Sequence, residues 1–284
     1  MGGTRYDMDA RSSRAKEVGY GSKSASEIFT QNAKRMAHES MNPNGVTFRE
    51  ARDSAVHPNS VPIILGLDVT GSMGHIPHEL IKEGLPKLMG GIIQGGVPDP
   101  ALLFLGIGDH ECDGYPLQVG QFESGDEELD MWLTRTYIEG GGGGNAGESY
   151  LLAWYFAAFH TKTDAFEKRN QKGLLFTVGD EPNLEVLPAS AIKEIMGAGQ
   201  HTYTAKELLE EAKKQYDVYH ISVLHSDQAV RADVAWKELL GQNCLSIADH
   251  KEIPNVIKGI ICDKYKSGSS GSVDLGGLDN IQML

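Results

Sequence analysis

Cysteine is scarce: Cys112, Cys244 and Cys262 are the three in 284 residues. Their wide separation gives neither a disulfide framework nor a structural-zinc spacing. They read as free thiols of a reducing compartment. No apolar run approaches the length of a membrane span, and the start MGGTRYDMDARSSR lacks an apolar signal-peptide core. The expectation is a soluble protein not secreted by the common route, placed in the cytoplasm or within an intracellular or virion assembly. Positive charge is also in short supply. Lys and Arg number 26 against 39 Asp and Glu, a formal net charge of −13. That balance argues against non-specific binding to nucleic acid or a membrane surface. No lysine follows the glycine-rich stretch 140–146, and the turn GLDVTGSMG lacks GxGxxG. A phosphate cradle is therefore not expected. There is no internal repeat.

Acid is unevenly spread. Asp109, Glu111, Asp113, Glu123, Asp126, Glu127, Glu128, Asp130, Glu139 and Glu148 fall between residues 106 and 150, opposed by Arg135 alone. Residues 1–60, by contrast, start mildly basic and carry no sustained apolar period. They are expected to form an arm, partly extended or disordered, or ordered only against a partner. A short helix is predicted over 24–38, with Ile28, Phe29 and Ala33 sharing a face.

Residues 61–265 alternate. Apolar runs at 61–67, 101–107, 173–178, 219–224 and 244–247 read as strands, and 116–122 reads as an edge strand. Helical spacing recurs over 76–93, 126–138, 147–160, 189–197, 204–215, 228–240 and 254–265. This succession predicts an α/β fold: a doubly wound, mostly parallel central sheet with helices on both faces. The Gly/Ser-rich segment 266–284 reads as a flexible tail.

The stretch VPIILGLDVTGSMG, residues 61–74, is the most informative. A buried strand ends in Asp68, Thr70 and Ser72, at the sheet edge where open α/β sheets place their ligands. One carboxylate and two hydroxyls form a hard-oxygen set suited to Mg²⁺ or Mn²⁺. LLFTVGDEP likewise ends a strand in Asp180. If the two strands are neighbours, Asp68 and Asp180 share one edge. The loop GGGGGNAGES adds Asn145, Glu148 and Ser149 as oxygen donors, with Glu148 equally suited to capping its helix.

These motifs resemble the von Willebrand factor type A family with its metal-ion-dependent adhesion site. Asp68, Thr70 and Ser72 match DxSxS, Asp180 matches the third-loop aspartate, and Asn145 and Glu148 fall on a GGGDxPE-like second loop. The resemblance covers about residues 60–265. It implies a Rossmann-like topology, a cation held by these residues, and a partner protein whose Asp or Glu completes the metal sphere. It also implies an AAA-type ATPase as one kind of partner; the arm suggests a second copy as another. Two alternatives stand beside it. One is an Mg/Mn-dependent hydrolase at the same strand ends, with His110 and Cys112 as further chemistry. The other is a structural assembly protein, such as a virion component, in which the arm dominates. His220, His225, Trp132, Trp154 and Trp236 are expected to be structural.

Overall fold

The computed structural model describes residues 4–97, 99–139 and 147–267. It is a mixed α/β fold. The leading residues form α1 (Met8–Val18), α2 (Ala25–Ile28), α3 (Gln31–Lys34) and β1 (Arg49–Ala51). Then come β2 (Val61–Asp68), α4 (Ile76–Glu79), α5 (Leu85–Gln94), β3 (Pro100–Ile107), β4 (Leu117–Val119), α6 (Asp126–Thr134) and α7 (Tyr150–Phe159). The rest comprises β5 (Thr161–Thr163), α8 (Asp164–Arg169), β6 (Gly173–Gly179), β7 (Val186–Leu187), α9 (Ala189–Met196), β8 (Tyr203–Thr204), α10 (Ala205–Lys213), β9 (Tyr216–Val223), α11 (Asp227–Leu240), β10 (Cys244–Ile247) and α12 (Ile253–Ser267).

Six strands form the main sheet in the order β10-β9-β6-β2-β3-β4. All neighbours are parallel except β4, which runs antiparallel to β3. β2 is buried at every position, as expected of a strand covered on both faces. Its side chains alternate between two apolar clusters. Ile63, Leu65 and Leu67 belong to one, with Leu88, Ile92 and Ile257; Ile64 belongs to the other, with Trp154, Leu208 and Trp236. The tryptophans expected in the core are all buried.

Several elements differ from the sequence expectation for local reasons. The helix expected over 24–38 is two short ones. Ser24 and Glu27 close a capping box on α2, the chain breaks at Phe29, and Arg35 ends α3 in the left-handed region at φ 51°. Ile28 and Phe29 are buried, while Ala33 is exposed. Helix α6 stops at Thr134, short of 138. Just beyond it, the Gln118 side chain takes both the N–H and the carbonyl of Tyr137, each at 2.8 Å, and holds that peptide on the sheet edge.

The leading residues are built onto the rest. β1 pairs in parallel with β5, Arg49 opposite Thr161. On α1, the Arg11 side chain donates through Nε to Asp130 Oδ1 at 2.8 Å, through a second nitrogen to the Ile81 carbonyl, and lies 5.0 Å from the Tyr20 ring centroid. Arg14 reaches Asp126 and Asp130 at 2.7 and 3.0 Å.

The Ile81 carbonyl is free for a physical reason. Residues Leu80–Gly84 form a π-turn between α4 and α5, in which the Leu85 N–H bonds the Leu80 carbonyl. The next group in that register is Pro86, which has no N–H. The helix therefore leaves the Ile81 carbonyl without a backbone donor, and Arg11 supplies one.

Candidate functional site

Strands β2 and β6 are neighbours, with Leu67 opposite Val178. Asp68 and Asp180 consequently emerge at the same edge of the sheet. Both are buried, as are Thr70 and Glu148. Five of the six expected site residues thus gather around this edge. The sixth, Asn145, and glycines 140–144 lie outside the described residues.

Asp68 and Asp180 are already engaged, whereas Glu148 Oε2 is buried with no hydrogen-bond partner among the described residues. Asp68 Oδ1 accepts from the Thr70 N–H at 2.9 Å and the Thr70 hydroxyl at 2.6 Å. Its Oδ2 accepts from the Tyr150 hydroxyl at 2.9 Å. Asp180 Oδ1 accepts from Ser72 Oγ at 3.0 Å, and its Oδ2 lies 3.0 Å from His225 Nε2. Burial pushes the Asp68 carboxyl up to about 7, against the pull of Thr70 and Tyr150, with Asp180 adding to the rise. Glu148 is pushed up to about 9 by burial and by the carboxylates of Asp68, Asp113 and Asp109. Tyr150 is raised well above the usual phenol range, again by burial first.

This donor set does not fit a cation. Asp68 and Asp180 are each capped by hydroxyl, phenol or imidazole groups. Among the described residues, no group of three or more His, Cys, Asp and Glu side chains is placed to hold a metal ion. The expectation of Mg²⁺ or Mn²⁺ at Asp68, Thr70, Ser72, Asp180, Asn145 and Glu148 is corrected accordingly. The reading as a metal-ion-dependent adhesion site goes with it. So do the partner carboxylate that was to complete the metal sphere and the partner classes argued from that sphere.

The site instead joins chain segments. Asp68 ends β2, Tyr150 opens α7, Asp180 follows β6, Ser72 sits in the turn after β2, and His225 follows β9. Residue 179 must be glycine here, because a Cβ at that position would overlap the Tyr150 hydroxyl. Sequence reasoning missed Tyr150 and His225 as partners. Tyr150 sits in an apolar run and reads as core. The signal that could have found it is Gly179, a missing side chain directly before a buried acid.

The neighbouring loop is similarly tied. His110 donates its N–H to Ser149 Oγ at 2.9 Å, and its Nδ1 lies 2.7 Å from the same oxygen. The Asp109 N–H donates to Asp113 Oδ2 at 2.7 Å, and the Glu111 N–H to Asp109 Oδ1 at 3.0 Å. His220 is fully buried, stacked on Trp236 at 3.7 Å, with Nδ1 2.8 Å from Thr177 Oγ1. Burial lowers it to about 3, so it is neutral.

No protein-family model matches the chain, and no curated protein does. Among solved structures, it is similar to the pilus adhesin SpaC of Lactobacillus rhamnosus GG in an open conformation. The identity is 12% and the TM-score 0.47, over 76% of this chain and 31% of that chain. It is also similar to proximal thread matrix protein 1 of the mussel byssus, at 9% identity and a TM-score of 0.47, over 76% of this chain and 48% of that one. The chain thus spans about a third of the first and about half of the second. No helix among the described residues is long and apolar enough to cross a membrane.

Proposed function

We propose that this protein is a structural component of a larger assembly, in which the leading arm dominates recognition. It would do so on a doubly wound α/β body of the kind implied by the von Willebrand factor type A resemblance, with the strand-end acids serving as a lock between segments. The strand order and the two apolar clusters support that description of the body.

The observation that carries the functional reading is the way the arm is held. Its inner side is matched to the body through a buried arginine, an added strand and several ion pairs. Part of its apolar surface stays accessible. Among the described residues, six large apolar side chains are exposed, and three of them, Met8, Met36 and Phe48, belong to the arm. Arm residues thus specify a body contact and leave apolar surface accessible beside it. Apolar side chains exposed singly are ordinary; here three of them coincide with the held arm.

Light scattering of the full chain over a concentration series, with and without EDTA, tests this reading. Mass above that of one copy, rising with concentration and indifferent to EDTA, is the expected result. A single-copy mass at every concentration would sink it.

A further inference from the structure

We propose that α1 is an exchangeable plug: in the assembled state, the α1 of one copy occupies the Asp126–Asp130–Ile81 socket of a second copy. This rests on the assembly reading above and names its partner.

The socket is a site defined by what it lacks without α1. Asp130 is nearly inaccessible and is held by Arg11 and Arg14 of α1, and the Ile81 carbonyl, which has no backbone donor, takes its hydrogen bond from Arg11. An arginine fork is suited to bridging a carboxylate and a carbonyl at once. Unfilled, the socket would lose the Arg11 and Arg14 donors that meet Asp126, Asp130 and the Ile81 carbonyl in the fold. It therefore selects an α1 helix strongly, but nothing in its chemistry distinguishes the chain's own helix from a neighbour's.

The plug is also separable. Among α1 residues, only Arg11 is buried, with Ala15 and Val18 packed partly against the core, so the helix is held chiefly by its ion pairs. Gly19 ends the helix at φ 81°, and Gly21 follows with open space where a Cβ would be. Short hinge loops can invite exchange of an element between identical chains. A short tether gives the chain's own helix an effective concentration on the order of millimolar. Exchange is therefore expected when copies are crowded, and closure within one chain when they are dilute.

The test uses proximity across the socket. A Cβ at position 90 would lie 2.9 Å from Met8 Sδ and 3.8 Å from Met8 Cγ. In full-length protein carrying Cys112→Ser, Met8→Cys and Gly90→Cys are made separately and together. The double variant, kept dilute and oxidised, should form a disulfide within one chain, which verifies the docked helix. The two single variants, unfolded together, refolded at high concentration and oxidised, should give a mixed disulfide dimer. Adding Arg11→Ala to the Met8→Cys chain should reduce that dimer at least tenfold. A disulfide within the double variant but no mixed dimer overturns exchange, while the light-scattering mass still decides the assembly reading by itself. A mixed dimer that is indifferent to Arg11→Ala overturns it too, because the link would then be a chance collision. No disulfide in the double variant overturns the docked geometry on which exchange depends.

Discussion

Arg11 and Asp130, 119 residues apart, form an ion pair of 2.8 Å with side chains 2% and 3% exposed. A pair so placed adds little net stability over an apolar one, because both charges are stripped of water. Burial raises the Asp130 carboxyl, and the two arginines offset only part of that rise. Removing one partner is another matter.

Arg11→Ala should cost about 1–3 kcal/mol, since it leaves Asp130 to Arg14 alone and the Ile81 carbonyl without its donor. Asp130→Asn should cost less, because the amide oxygen still accepts. Arg11→Met with Asp130→Leu should recover much of the loss, leaving the Ile81 carbonyl as the residual defect. Urea melts of the three variants check this order. Equal losses for all three would show that the arm contributes through shape alone.

Deleting residues 1–55 extends the same logic. Read from sequence, the deletion spares the body, because strand 61–67 remains. In the fold it removes the partners of Asp126, Asp130, Asp164 and the Ile81 carbonyl. The expected outcome is a lower melting temperature and non-native association, measured by calorimetry and light scattering. An unchanged melting temperature would contradict the packing of α1 and β1.

Asp164 gives the arm a pH signature. It accepts from the Asp53 N–H at 2.9 Å and from Arg52 and Lys168 at 2.8 and 2.6 Å. The Lys168, Asp53 and Arg52 hydrogen bonds outweigh the opposing effect of burial and lower the carboxyl to about 2. Its folded value lies below the ordinary aspartate value near 4. Its contribution is therefore complete above about pH 4 and is lost as pH falls through about 2. Asp164→Asn should flatten that part of the stability–pH curve and leave the neutral range parallel to the wild type. An unaltered acid limb would assign the effect to other carboxylates.

Gly179 and Tyr150 test the strand-end lock. Gly179→Ala places a methyl group on the Tyr150 hydroxyl, and the forced shift should cost about 1–3 kcal/mol. Tyr150→Phe alone leaves Asp68 Oδ2 without its donor, about 1–3 kcal/mol. The two changes share one atom, so their costs should not add: the double variant should be no worse than the sum less about 1 kcal/mol. Strict additivity in denaturant melts would mean that the hydroxyl does not fill the space at residue 179.

Asp68→Asn tests the charge state of the site. With its folded carboxyl near 7 and the unfolded value near 4, Asp68 favours folding most below about pH 4 and loses that advantage as pH rises through about 7. Asparagine keeps an acceptor for Thr70 and carries no charge. The variant should gain on wild type as pH rises from 5 to 8, followed by thermal melts at fixed ionic strength. A variant that instead loses ground across that range would require a stabilised carboxylate.

The central strands and most helices were legible because their apolar periods are strong and burial follows the same periods. Leu67 and Val178 set Asp68 and Asp180 side by side, as two apolar strands each ending in an acid suggested. What stayed hidden was carried by pairs distant in sequence. Arg11 reads as one of several arm cations until Asp130 and the Ile81 carbonyl are brought to it. Thr161–Thr163 is too short to declare itself a strand without Arg49–Ala51 alongside. The cation was expected because hydroxyl and carboxylate spacing looks the same whether those groups face a metal or one another. Thr70 and Ser72 turn their protons onto Asp68 and Asp180.

The π-turn at Leu80–Gly84 bears on how the chain is made. Arg11 leaves the ribosome early, the Ile81 carbonyl 70 residues later and Asp130 119 residues later. At about 5–20 residues per second, the guanidinium waits about 6–24 s for its carboxylate. During nascent growth the α1 segment is therefore a basic stretch without its acidic partners, too short to hold a helix by itself.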